Sequence, residues 1–507
     1  MSLSNMQTVK KVVIVGRDIA AWLAANTLER ALGRTGLCVE VAEMPTLLRP
    51  YDIVASLAPL ESFHRLLGVD EAALIRAVGG SFSLGQSFVG FSSAPPAFFH
   101  PYGAHGVGIN RLPFLPYWIK ARQGGLNVAF EDFSLPAAAA KQGCFFMPTD
   151  EMRVFGHLDY AYHLKTSAYV QFLRNLALQR GVETTPVRLF DIERDGVDGA
   201  IKALVTNDGR RIAGDVFIDA TGSESLLLGE ALQTELESWS RWLPGNHVLT
   251  VTGERLPVLP SYSQVRALSA GCLHLTPVPD ATGLQYVYDR DIQTDEAALE
   301  TVARTAGMKL QANAAVASLA AGCRRKLWVK NCIALGEAAA GLDPIDNTGL
   351  HVIQLGLAHL ISLFPVSADS RIEADEYNAQ MREALDGIRD YQMAHYKLNR
   401  VEGQAFWDRP RDMRIPERLA HRIEMFKARG IVPVYEGETF IPDDWHALFI
   451  GQGLMPRSYD PLVDLMPQDT AVRHFQGFLS RIRHEVQQMQ PQEAFIRKRT
   501  HGGGIGA

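Results

Sequence analysis

The sequence predicts an α/β protein: a strand–helix–strand module at the N-terminus, further strands forming a mixed sheet, and a mostly helical C-terminal region. Three observations carry that expectation. Lys11 to Val15 (KVVIV) is a continuous apolar, β-branched run, the mark of a strand buried on both faces of a parallel sheet. Two more apolar stretches, Arg211 to Ile218 and Asn331 to Leu335, each run into small residues and glycine, as strands entering tight turns do. After about Val366 the composition changes to charged, helix-forming stretches, Ile372 to Asn399, Pro416 to Arg429 and Asp469 to Met489. The expected division is therefore residues 1–370 and 371–507.

At 507 residues the chain can bury a large core, and its length suggests two to four domains. A net charge of −6, from 50 basic and 56 acidic residues, provides no basic footprint, so nucleic acid is not an expected partner. Cys38, Cys144, Cys272, Cys323 and Cys332 are scattered, with no C-x-x-C and no zinc-ligand spacing. They read as reduced thiols, with no metal site. MSLSNMQTVKK leads straight into the first strand without a signal-peptide core, and no apolar run reaches the roughly 18 residues of a membrane span. A cytoplasmic protein that does not enter a membrane is expected.

In chain order, the first strand is followed by Gly16-Arg17-Asp18-Ile19-Ala20-Ala21-Trp22 and an Ala/Leu-rich helix to about Leu32. A second strand, Leu37 to Ala42, ends at Glu43. This is the layout of a dinucleotide-binding βαβ unit, with Gly16 and Ala21 at the first and third fingerprint positions and Glu43 placed to hold a ribose hydroxyl. Asp18 occupies the second position, which exists so that backbone can approach a pyrophosphate, and a carboxylate there repels it. Alone, this motif fits a plain structural βαβ unit as well as a nucleotide site.

Leu57 to Leu67 and Glu71 to Val78 read as short helices, Ser81 to Val89 as one strand, and Phe98 to Gly103 as a Pro/Gly-rich loop carrying His100. That histidine is either a substrate-facing imidazole or a packed, hydrogen-bonded one. From Tyr160 a short strand precedes an amphipathic helix, and Ile192 to Leu204 is strand-like. The next strand closes on Asp219-Ala220-Thr221-Gly222. Further strands are expected at His247 to Val251, Gly271 to Val278 and Leu284 to Val287, and the terminal HGGGIGA is expected to fray.

The stretch from Ala334 to His351 (ALGEAAAGLDPIDNTGLH) turns at Gly336-Glu337, crosses small residues to Gly341, makes an Asp343-Pro344 corner and enters a helix from about Thr348 to Leu363. A strand running through glycines into a helix N-terminus directs bare N–H groups at one spot, which favours an anion or the oxygen-rich part of a cofactor. With the turns at Gly16 and Gly222, it makes three walls of one dinucleotide site.

Several of these pieces resemble the flavin-dependent tryptophan halogenase family, within the flavin monooxygenase-like proteins. The resemblance runs from about residue 10 to 496. It is carried by NCIALGEAAAGLDPIDNTGLHVIQ (Asn331 to Gln354), GDVFIDATGSESLL (Gly214 to Leu227) and AYHLK (Ala161 to Lys165). RDYQMAHYKLNR (Arg389 to Arg400), Phe406-Trp407, Trp445 with GQG (Gly451 to Gly453) and SYDPLVD (Ser458 to Asp464) add to it. It implies an FAD-binding, Rossmann-like module of the GR2 type with a mixed substrate-side sheet and a helical C-terminal cap.

It further implies reduced FAD from a separate flavin reductase, O2, and chloride or bromide converted to hypohalous acid, which reaches a lysine beside a small aromatic, tryptophan- or indole-like substrate. Gly336 and Glu337 match the family's turn over the flavin and Thr348 and Gly349 its halide-holding backbone; with Gly16, Ala21, Glu43, Asp219 and Gly222 of the strand-end turns they are the expected cofactor and halide residues. His100, Tyr102, Asp346 and Ser83 belong to the catalytic site, with Asp346 where the family has a glutamate. A homodimer, or pairing with an active halogenase, is the expected assembly.

Three departures stand out. Ser83, in Phe82-Ser83-Leu84-Gly85, takes the position of the family lysine and can neither form a chloramine nor donate an ammonium hydrogen bond; Lys165 is the candidate substitute. Cys272 and His274 replace the paired tryptophans of W-x-W-x-I-P, of which only Pro277 remains. YDIVAS (Tyr51 to Ser56) lacks the glycine and glutamate of the family's G-E-S/A-T element. These leave a catalytically silent member that binds a substrate or partner, or a monooxygenase that does not halogenate, as alternatives.

Overall fold

Lys11–Gly16 forms an inner strand of a six-stranded sheet whose neighbours on one side are Val216–Ala220, Cys332–Ala334 and the edge pair-mate Trp328–Val329. On its other side lie Cys38–Glu43 and Glu183–Pro186. All pairings are parallel except the one at the Trp328 edge. Val12 to Val15 are fully buried because both faces are covered, which is why the run reads as uniformly apolar. The helix Asp18–Leu32 covers it, packed on the helices Thr166–Gln179 and Gly349–Ser362. This computed structural model describes residues 9–92, 96–311, 314–367 and 371–501, so most of the terminal HGGGIGA lies outside the described residues.

A second, seven-stranded sheet runs Ala315–Ser318, His247–Glu254, Ala281–Tyr288, Gly271–Val278, Ser263–Leu268, Gly85–Val89, Ala97–Pro101. Four expectations are corrected by these sheets. Ser81 to Val89 is two strands: Ser81–Ser83 pairs with Ala161–Lys165 in a small separate sheet, and Gly85–Val89 joins the large one. The chain crosses between sheets at Gly85, where a Cβ would stand 2.2 Å from the His100 carbonyl oxygen, so only glycine fits. The expected loop Phe98 to Gly103 is instead mostly the strand Ala97–Pro101; it lies at the sheet edge and ends at its proline, where a missing N–H costs no ladder bond. Ile192 to Leu204 is a hairpin of Phe190–Arg194 and Ile201–Thr206. Arg211 to Ile218 divides at Gly214 between two sheets.

The C-terminal helices Ile372–Leu398, Glu417–Arg429 and Gln468–Gln488 fall within a residue or two of the sequence expectation. Val13 and Leu357 share one contiguous core with Tyr377, Tyr391, Trp407 and Leu448. Among the described residues no helix is long and apolar enough to cross a membrane.

Candidate functional site: a strand-end cleft and a buried aromatic chamber

The carboxyl ends of Lys11–Gly16, Val216–Ala220 and Cys332–Ala334 are adjacent, and a cleft of about 440 Å³ opens above them. This is where open parallel sheets bind ligands. Its walls include Arg17 to Ala20, Ala220 to Glu224, Leu335 to Glu337, and Gly349 with Leu350, so the three turns read from the sequence do converge. Gly16 lets two strand ends touch: a Cβ there would stand 2.1 Å from the Ala220 oxygen. Gly222 and Gly336 adopt φ of +82° and +61°, conformations that favour glycine. Gly349 opens the helix Gly349–Ser362 with empty space where its Cβ would be.

Asp18 is held at φ +60°, the left-handed region that aspartate enters more readily than most residues. Its carboxylate accepts from the Thr46 hydroxyl and the Leu47 amide, so it is turned onto that loop. Burial pushes this carboxyl above its ordinary range, as burial and the neighbouring Asp18 do for Glu337. Arg17 Nη2 binds Glu224 Oε2 at 2.8 Å, while its Nε is buried without a partner.

Two expected cofactor residues serve the cleft from behind. Asp219 is fully buried and accepts from the Thr221 hydroxyl at 2.7 Å and the Leu228 and Leu227 amides at 2.8 and 3.0 Å, which fixes the glycine turn. Ala21 is buried in the helix–sheet contact. Glu43 ends its strand as expected, but Arg174 grips both of its oxygens at 2.9 and 3.0 Å, and it is not among the cleft's walls.

The chamber, a closely packed cluster of buried side chains, lies on the other side of the Asp343–Gly349 turn. Its floor follows from strand register: His100 pairs directly with Gln86, and Phe98 with Phe88, so all four share one face of the large sheet. Gln86 Nε2 donates to the Ile345 carbonyl at 3.3 Å, which ties that floor to the turn. The long helix Ile372–Leu398 supplies Tyr391 and His395, and Pro442–Gly451 supplies Asp444 and Trp445. Phe440 stacks on Tyr391 with centroids 3.7 Å apart, and Phe88 stacks on His395 at 4.7 Å.

Two carboxylate–histidine pairs face this aromatic shell. His100 Nε2 lies 2.8 Å from Asp444 Oδ1, and His395 Nε2 lies 2.9 Å from Asp346 Oδ1. Both Nδ1 atoms, Asp346 Oδ2 and Gln86 Oε1 are buried without a partner. Tyr102 is buried, its hydroxyl close enough to Asn347, Asp346 and Asp444 to feel them, and burial raises its pKa. Behind the turn, Asp343 accepts from Tyr396 Oη at 2.6 Å, and burial raises its carboxyl to about 6.

Of the four expected catalytic residues, His100, Tyr102 and Asp346 gather here. Ser83 stays in the small sheet with its hydroxyl on the Gly85 carbonyl at 2.9 Å. Lys165 does not replace the missing lysine: its ammonium pairs with Asp280 at 2.6 Å. Cys272 is buried with its thiol 3.9 Å from Tyr396 Oη, and burial lowers the His274 pKa to about 3. The sequence reasoning passed over His395, Asp444 and Gln86. The first lies inside RDYQMAHYKLNR, a stretch that carries the resemblance, and the second stands next to Trp445, which also carries it.

A cleft at parallel strand ends, separated by one turn from a buried aromatic cluster with acid–base groups, fits a flavin-dependent enzyme of the monooxygenase-like class. The chain belongs to the tryptophan halogenase family, whose model matches residues 11–468. It is 26% identical to tryptophan 6-halogenase ThaL of Streptomyces albogriseolus over 91% of this chain and 93% of that one. Among solved structures, Xcc4156, a flavin-dependent halogenase from Xanthomonas campestris, superposes with a TM-score of 0.93 at 32% identity, covering 97% of this chain and 98% of that one. BrvH, a flavin-dependent halogenase from Brevundimonas sp. BAL3, gives 0.92 at 30% identity, covering 97% and 99%.

Flavin-dependent halogenases use reduced FAD delivered by a separate flavin reductase, together with halide. The cleft fits that cofactor. The buried, unpartnered Arg17 Nε suits a pyrophosphate, the Gly349 cradle has room for a ligand atom, and Asp18 points its charge onto Thr46 and Leu47.

Proposed function

We infer that the protein is a flavin-dependent halogenase acting on an aromatic, tryptophan- or indole-like small molecule with reduced FAD, O2 and chloride or bromide. The observation that carries this reading is the shared wall: Gly349 and Leu350 line the cleft, while Asp346, three residues earlier, is buried against His395 on the chamber side. FAD, bound in its reduced form, supplies with O2 and halide the hypohalous oxidant. Arg17, Gly222, Gly336, Glu337 and Gly349 are the residues that would hold it, and Thr348 with Gly349 the halide. Phe88, Tyr102, Tyr391 and Phe440 are buried and exclude water from the site.

Asp346, whose second oxygen is buried without a partner, would take the proton that leaves the ring carbon. Ser83 supplies no cation, so aiming of the oxidant rests on the imidazole and amide groups of the chamber floor. The test combines the protein with FAD, a flavin reductase, NADH, bromide and a panel of indoles, read by mass spectrometry. Monobrominated product supports the reading. Oxygenated product without bromine overturns it in favour of a monooxygenase, and retained flavin with no product overturns it in favour of a silent binding partner. Sedimentation of the protein alone and mixed with an active halogenase tests the homodimer and the mixed pair.

A further inference from the structure

The His100–Asp444 pair has a feature that the halogenase reading leaves unused. Asp444 Oδ1 faces His100 Nε2 at 2.8 Å, and Asp444 Oδ2 accepts from the Ile441 amide at 2.7 Å. A carboxylate only accepts, so Nε2 carries a proton, and in the neutral imidazole Nδ1 is then a bare lone pair. That nitrogen is buried and has no partner. The groups around the ring are Tyr102, at 6.2 Å between centroids, Tyr391, at 6.1 Å, Asp444, and Gln86 across the strand pair, whose Nε2 donates to the Ile345 carbonyl; Asp346 acts on both tyrosines. Tyr391 spends its hydroxyl on the Asp444 carbonyl at 3.1 Å, and Tyr102 turns its own toward Ser56 and Asn347. Neither supplies a donor to Nδ1. A buried acceptor without a donor costs free energy until something donates to it.

We propose that Asp444 is a positioning residue that fixes His100 as an Nδ1 acceptor, and that this nitrogen selects aromatic substrates bearing an N–H or O–H donor on the ring. Indoles, pyrroles and phenols meet that requirement, whereas the same rings methylated on nitrogen or oxygen do not. The inference rests on the halogenase reading for placing an aromatic ring in the chamber. Its basis is the hydrogen-bond inventory around one imidazole.

The structure also dictates how to reverse it. In Asp444→Asn one oxygen must serve two demands. The Ile441 N–H claims it, which leaves the amide NH2 facing Nε2. The ring proton then moves to Nδ1, so the acceptor becomes a donor while the side-chain shape is kept. The test uses the full chain loaded with FAD. Dissociation constants for indole and 1-methylindole are read from quenching of intrinsic tryptophan fluorescence. The His100 tautomer is read by 15N NMR of histidine-labelled protein, with the signal assigned by its loss in His100→Gln.

The expected result is an Nε2–H tautomer and a preference of about fivefold to tenfold for indole, the worth of one buried hydrogen bond. In Asp444→Asn the tautomer switches and the preference falls to about one, while Asp444→Glu keeps the wild-type tautomer. Equal affinities in the wild type, a protonated Nδ1 in the wild type, or an Asn variant with unchanged preference would each overturn the proposal. Flavin absorbance in the same sample separates the two readings. Retained flavin with no indole preference sinks this inference alone. Lack of retained flavin sinks the halogenase reading, and the tautomer signal then decides the His100 assignment by itself.

Discussion

Replacing His395 by phenylalanine isolates the chamber's electrostatics. The new ring keeps the stacking on Phe88 now held at 4.7 Å, but Asp346 loses its N–H donor at 2.9 Å. Asp346 is fully buried, and its second oxygen already has no partner. Removing one member of such a buried pair costs about 3–5 kcal/mol. There is also a ceiling, because a stranded aspartate escapes its charge by binding a proton. At pH 7 that lies roughly three pH units above an ordinary aspartate pKa, at about 1.4 kcal/mol per unit, or about 4 kcal/mol. The expected loss is therefore about 3–4 kcal/mol at pH 7, shrinking by about 1.4 kcal/mol for each unit of acidification. Urea unfolding at pH 7 and pH 5.5 measures it, and adding Asp346→Asn to the variant should recover most of the loss at pH 7. A loss that is the same at both pH values, or one that Asp346→Asn does not repair, would refute this account of the pair.

Three further outcomes follow from the cleft and the turn. Asp18→Gly removes a carboxylate beside the cofactor cleft and should tighten FAD about tenfold, about 1.4 kcal/mol, in flavin fluorescence titration; the gain should shrink with added salt. Gly16→Ala places a methyl 2.1 Å from the Ala220 oxygen and should yield no folded soluble protein, whereas Gly349→Ala meets only open space, so its circular dichroism should be unchanged while FAD binding weakens. Asp343 has a folded pKa of about 6, raised from 3.8 by burial. Folding therefore favours its protonated form; that stability is complete below about pH 4 and is lost as pH rises through 6. The loss of about 3 kcal/mol by pH 7, measured from urea midpoints, should flatten in Asp343→Asn.

What was legible in the sequence was whatever a local pattern encodes. The run KVVIV gave the central strand because burial on both faces leaves no polar position. The turns after Ala220 and Ala334 could be read as walls of one site because glycines follow apolar strands at each, and adjacent parallel strands bring such ends together. Phe98 to Gly103 was misread because its proline and glycine suggest a loop, while the sheet-edge position that accommodates the proline is a tertiary fact. The carboxylate–histidine pairs join residues 344 and 49 positions apart, and no local period marks such a pair. Asp18 shows the same limit in reverse. Its residue type signals conflict with a pyrophosphate, and only the Thr46 loop reveals where the charge goes.

The two compartments therefore tolerate change differently. The cleft is made chiefly by backbone: strand ends, glycine turns and a helix start. Its demands are steric, as the 2.1 Å clearance at Gly16 illustrates, and they are indifferent to chemistry several residues away. The chamber is made by side chains from one sheet, one turn and two helices, so its chemistry can drift while the cleft stands. Cys272 and His274 stay buried in the same strand, paired in register with Val287 and Gln285, and the sheet continues undisturbed to Gly85–Val89. Ser83 closes its hydroxyl on Gly85, where a lysine would bring a charge that needs a partner. With no ammonium in that position, the imidazoles on Asp444 and Asp346 are left to orient whatever enters, and the proton position on His100 becomes the quantity on which substrate choice turns.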